Sequence, residues 1–96
     1  MTLAKARKVH EQAGGKFFTK SSMEYWGSKI ESELFDNNCF ITSEYDYTGE
    51  YKFYNVRQFS PDFKKIRTVS EFNKLTTKGA AVNLIRDPNR WVNSSF

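Results

Sequence analysis

Cysteine and histidine each occur once in these 96 residues, and proline and methionine twice each. With Cys39 alone, no disulfide closes within the chain and no cysteine-based zinc site forms from one copy. That scarcity fits a reducing, cytoplasmic setting. No apolar run approaches the roughly 20 residues that span a bilayer, so no membrane partner is expected. Residues 1–13 carry charges throughout, where a signal peptide would have an apolar core. Catalytic groupings are equally sparse. His10 is the single imidazole, and no serine or cysteine sits in a G-x-S-x-G setting. Glu24, Glu31 and Glu33 are spaced as a solvated helix face, while Glu44, Asp46 and Glu50 flank a turn. Neither set makes an acid/base pair or a metal cage by spacing. The expectation is a protein without enzymatic activity, cofactor or metal.

Aromatic residues are what the chain has in surplus: nine Phe, five Tyr and two Trp make up 17% of it. Such rings fill a core from few residues, and those left outside mark interfaces. Ninety-six residues make one small domain, with residues 1–13 as an N-terminal helix and 89–96 as a tail. The net charge of +4 permits an acidic partner, DNA or RNA, without singling one out.

Leu3, Ala6, His10 and Ala13 recur at helical spacing, and Gly14–Gly15 supplies a helix end. "TKSSMEYWGSKIESELF" (19–35) predicts a second helix from the stripe Met23, Trp26, Ile30 and Leu34. Three strand-like runs follow: "CFITSEY", "YKFYNVRQF" and "KIRTVSEF". Thr48–Gly49 turns the first into the second, and "SPDF" turns the second into the third. "TTKGAAVNLIRD" is a last helix, capped by Thr76 or Thr77 and stopped before Pro88. The fold class is α+β: a three-stranded antiparallel meander with flanking helices, in the order α-α-β-β-β-α.

"GGKFFTKSS" (14–22) matches a phosphate-binding loop except that Thr19 replaces the second glycine. A polar helix precedes it where such a loop needs a buried strand. Thr19 or Ser21 as a helix cap accounts for the pattern, so no nucleotide is expected.

Pairing Tyr47 with Glu50 sets Ile41 opposite Val56 and Ser43 opposite Tyr54; pairing Phe59 with Ile66 brings Val69 to the side of Val56. The other side then carries Phe40, Phe53, Arg57, Phe59, Thr68 and Phe72, with Phe53 near Phe72. Both faces are half apolar, so the sheet is either covered twice or offers one side to a partner. Phe53 and Arg57 lie on a face that either stacks unpaired bases or is buried under the C-terminal helix. Lys64, Lys65 and Arg67, with Lys52 and Lys78, would follow a phosphate backbone. Arg90 and Trp91 have the composition of an interface anchor.

Taken together, "GGKFFTKSSMEYWGSKIES", "CFITSEY", "YKFYNVRQF" and "IRTVSEFNKLTTKGAAVNLI" resemble a family of small, mostly uncharacterised proteins of phages and prophages. The resemblance spans residues 14–85 and brings no catalytic residues with it. It implies a stoichiometric inhibitor of host machinery acting in the host cytosol on a protein or ribonucleoprotein complex, with anti-CRISPR proteins as the precedent. The α-β-β-β-α order is also similar to a double-stranded-RNA-binding domain, although the basic start of that domain's last helix is reduced here to "TTKGAA".

Overall fold

The computed structural model describes residues 1–15, 17 and 29–92. Helix α1 runs Leu3–Gln12, with Thr2 as N-cap and Leu3, Ala6 and His10 turned inward. Four strands follow: β1 (Lys29–Ile30), β2 (Cys39–Tyr45), β3 (Lys52–Phe59) and β4 (Ile66–Thr68). Helix α2 (Lys78–Ile85) and a short 3-10 turn (Pro88–Arg90) close the described chain. The fold class is α+β, with one antiparallel sheet in the order β1-β2-β3-β4.

The strand content differs from expectation at two places, before β2 and in the expected third strand, which forms as β4 over Ile66–Thr68 alone. Lys29 and Ile30, read above as the middle of a second helix, pair instead with Ser43 and Thr42. The pairing is extended by Glu31 N–H to the Ile41 carbonyl (2.8 Å) and by Ile41 N–H to the Ser32 hydroxyl (2.8 Å). The sheet therefore has four strands rather than three, and the expected helix does not extend through 29–35. Its portion from 19 to 28 lies outside the described residues, as do Thr19, Lys20 and Ser21.

The central register is the expected one. Ile41 faces Val56, Ser43 faces Tyr54 and Phe59 faces Ile66. Pro61 sits in the turn that Phe63 N–H closes onto the Ser60 carbonyl (2.9 Å). Beyond Val69 the register changes. Tyr54, which would meet Glu71, bridges to Leu75 instead. Asn73 adopts φ 55° in the intervening excursion, a left-handed conformation that asparagine tolerates. Phe72 thereby leaves the sheet and is 59% exposed, so the Phe53–Phe72 pairing is not formed as a ladder neighbour.

Both faces of the sheet are covered. Under α2, Cys39, Ile41, Val56 and Val69 pack with Ala81, Leu84 and Ile85. On the other face Phe40 and Phe59 pack with Leu3, Ala6 and Phe17. Of the phenylalanines expected beneath the C-terminal helix, Phe40 and Phe59 lie under the N-terminal one, because they alternate with the residues that α2 takes, while Phe53 is half-buried and Phe72 is exposed. Gly15 belongs to this packing: a Cβ there would come within 2.3 Å of the His10 ring.

Candidate functional site

The residues singled out from sequence do not converge. Arg57 is 1% exposed, and Phe40 and Phe59 are likewise buried, so these three present no surface on which bases could stack. Arg57 instead organises a polar interior: Nε donates to the Thr42 hydroxyl (3.1 Å) and Nη1 donates to that of Thr68. Burial lowers its pKa to about 10, against the opposing pull of Glu44. Next along the face, Asn55 Nδ2 donates to Glu44 (3.3 Å) and to the Asn73 side chain (3.0 Å), and Asn55 Oδ1 accepts from Asn73 N–H (3.0 Å). Burial pushes the Glu44 carboxyl above its ordinary value, outweighing the attraction of Arg57.

The lysines sit at opposite ends. Lys52 opens β3 and Phe59 closes it, roughly 23 Å away at about 3.3 Å per residue. Lys52 is paired with Glu31 (3.0 Å) and lies over the Tyr54 ring (5.4 Å). Lys64 and Lys65 are exposed in the turn after Phe59, at the far end. Arg67 lies over Trp91 (5.7 Å) and donates to Gln58 (2.9 Å). Trp91 is half-buried, its indole N–H donating to the Leu84 carbonyl (2.8 Å). Arg90, exposed, lines a cleft of about 230 Å³ with Ser70, Glu71, Lys74 and Leu75. Lys78 is exposed at the first turn of α2. Phe53 is half-buried opposite Glu44.

The reactive side chains are enclosed. His10 lies edge-on to Phe17 and Phe59, with Nδ1 2.7 Å from the Phe63 carbonyl. Cys39 is buried and its thiol is pushed up to about 12. Among the described residues no group of three or more His, Cys, Asp or Glu is placed to hold a metal ion.

What stands out of the surface is the β2–β3 hairpin end. Tyr45 and Tyr51 are each 62% exposed and Tyr47 is wholly so. The turn beneath them is held by its own bonds. Asp46 N–H donates to the Tyr51 carbonyl (2.9 Å) and Gly49 N–H to that of Asp46 (3.0 Å). The Asp46 carboxylate accepts from the Thr48 hydroxyl (2.7 Å) and from Tyr51 N–H (3.4 Å). Those bonds, the Thr48 hydroxyl first, hold its pKa below the ordinary value. Gly49 takes φ 74°, which a side chain would strain. Phe72, a further exposed ring among the described residues, rides on the segment anchored by Asn73 to Asn55.

Sequence reading passed over these tyrosines although a signal was there. In "YDYTGEY" (45–51) the rings interleave with turn-forming and acidic residues, a context that keeps them out of any core. No curated protein and no solved structure matches this chain. A family model does match, over residues 2–86, and the chain belongs to that family, the family of unknown function DUF7447.

Proposed function

We propose that this protein acts by binding, docking through its hairpin end on a host protein or ribonucleoprotein complex and inhibiting it stoichiometrically in the cytosol. The observation that carries this reading is the group of three exposed tyrosines on a turn fixed by its own hydrogen bonds. Tyrosine gives a large contact area at low entropic cost, and a rigid turn spares the ordering penalty of association. The resemblance to small phage proteins supports the inhibitory role. It also favours a nucleic-acid-handling defence complex, CRISPR-Cas among them, as the target.

Direct nucleic-acid binding is the competing reading, supported by the exposed Lys64 and Lys65. It loses ground because Phe40, Arg57 and Phe59 are buried. Capture from nuclease-treated bacterial lysate tests the docking reading, with wild-type chain beside a variant carrying Tyr45→Ala, Tyr47→Ala and Tyr51→Ala. The wild type is expected to retain a protein complex that the variant releases. Each exposed substitution should change stability by only about 0.5 kcal/mol or less, so the variant stays folded. Equal retention by both chains, or recovery of nucleic acid alone from untreated lysate, overturns the reading. A gel-shift series across salt then examines the alternative, since phosphate contacts weaken steeply as salt rises.

A further inference from the structure

Resting on that docking reading, we infer that the hairpin end receives a basic protein surface, rich in arginine and lysine. From Glu31 to Tyr51 the chain holds six carboxylates and neither lysine nor arginine, in a protein whose net charge is +4. Four of the six lie towards the hairpin end, with Glu31 leaving β1, Glu44 near the end of β2 and Asp46 and Glu50 in the turn, while Glu33 and Asp36 precede β2. The cations beside these four are Lys29, which pairs with Ser43, and Lys52. The first cation after it, Lys52, is held by Glu31 at 3.0 Å. Glu50 is exposed at the tip beside Tyr51.

The ring chemistry points the same way. Each exposed tyrosine has an accessible carboxylate next to it in sequence: Asp46 lies between Tyr45 and Tyr47, and Glu50 precedes Tyr51. A guanidinium laid on such a ring gains the attraction of the π face and a nearby anionic acceptor. The fold already uses this contact internally, with Arg7 over Phe17 (5.1 Å), Lys52 over Tyr54 and Arg67 over Trp91. At the hairpin tip the rings project into solvent instead. A phosphate backbone approaching here would meet like charge, whereas a cationic surface is steered in.

The test is titration of the intact protein with protamine, an arginine-rich polypeptide, and in parallel with duplex DNA. Four variants are compared with wild type: Tyr47→Ala with Tyr51→Ala, Glu50→Gln, Tyr47→Phe, and Lys64→Ala as a control at the far end. Protamine affinity is expected to fall about tenfold in the double tyrosine variant. It should fall several-fold in Glu50→Gln at low salt, with that difference vanishing at high salt. Tyr47→Phe, which keeps the ring, and Lys64→Ala should bind as wild type. Protamine binding that ignores both the tyrosine and Glu50 changes overturns the inference. So does DNA binding that the tyrosine changes abolish. Repeating the lysate capture with the double tyrosine variant separates this inference from the one beneath it. Loss of the host complex with protamine binding intact leaves docking standing and removes the basic partner. Retention of the host complex with protamine binding lost does the reverse.

Discussion

The two faces of this sheet are both buried, but they are built from different chemistry. The α2 face is a dry cluster of Cys39, Ile41, Val56, Val69, Ala81, Leu84 and Ile85. The α1 face is divided along its length. At one end Phe17, Phe40, Phe59 and Phe63 pack ring to ring; at the other Thr42, Glu44, Asn55, Arg57 and Thr68 form a hydrogen-bonded interior. Aliphatic packing tolerates exchange of one apolar shape for another of like volume. A buried polar network does not, because each donor needs its acceptor in place. The α1 face therefore fixes which register and which excursion the chain adopts, and the α2 face supplies non-directional stabilisation.

The largest expected effect tests that division at its aromatic end. Phe59 is the hub: its ring lies 5.8 Å from those of His10 and Phe17, 5.2 Å from Phe40 and 5.6 Å from Phe63. Phe59→Ala should cost about 3–5 kcal/mol, whereas Ile41→Val on the α2 face should cost about 0.5–1.5 kcal/mol. Chemical denaturation of the two variants beside wild type measures both. A Phe59→Ala loss no larger than that of Ile41→Val would mean the α1 side contributes little to the fold.

Which parts of this arrangement were legible in the sequence follows from the physics of each part. Strand β2 was readable to its ends, and the β2–β3 register followed from a turn placed at Thr48–Gly49, although Gly49 N–H closes it onto the Asp46 carbonyl. The stripe Ile30–Leu34 misled because a spacing of four is one helical turn and also two strand repeats. Both residues do pack against the α1-side core, but Ile30 from a strand and Leu34 from the irregular segment that follows it. The excursion after Val69 was hidden because it depends on the paired side-chain bonds of Asn55 and Asn73, a long-range contact that no local pattern reports. Arg57 looked like a surface cation for a related reason: nothing local shows that Thr42 and Thr68 flank it across the strands. The exposed tyrosines were the opposite case, visible in their turn context but passed over for a phenylalanine face of which Phe40 and Phe59 prove to be core.

The polar end of the α1 face gives the next largest effect, read through pH. Burial raises the Glu44 pKa in the folded chain above its unfolded value. A group raised in this way favours the folded state most below its unfolded pKa, and that advantage is lost as pH rises through the folded value. Glu44→Gln should therefore match wild type most closely in acid and become progressively more stable than it as pH climbs from about 4 towards 7. Denaturation midpoints across that window report the difference. Removing the Arg57 cation should carry the upper end of that window to higher pH, since Arg57 is the largest of the influences that pull the Glu44 value down. A stability difference that does not change with pH would show that Glu44 titrates as if in water. Arg57→Ala is itself no neutral control: the side chain is 1% exposed, so its loss opens a cavity and leaves the Thr42 and Thr68 hydroxyls without their donor.

The smallest effect compares the helices that cover the two faces, at their first turns. Thr77 caps α2, its hydroxyl accepting from Ala80 N–H at 3.1 Å, and Thr77→Ala should cost about 1 kcal/mol. Thr2 caps α1 in the same way, from Lys5 N–H at 3.3 Å, but here a second acceptor is present. The Glu33 carboxylate takes Leu3 N–H at 2.6 Å, from a segment 30 residues away. With that donor already satisfied and a carboxylate at the positive end of the helix, Thr2→Ala should cost less than Thr77→Ala at neutral pH. The two N–H bonds from Leu3 and Leu34 hold the Glu33 pKa below its ordinary value. Its contribution is thus present above the unfolded pKa and lost as pH falls through the folded one. Below about pH 4 the Thr2 variant should weaken further against wild type while the Thr77 variant keeps its offset. Paired melts of both variants at neutral and acid pH measure the two offsets. Equal costs for the two caps at both pH values would show that Glu33 does nothing for α1, and that the α1 face is held by its rings alone.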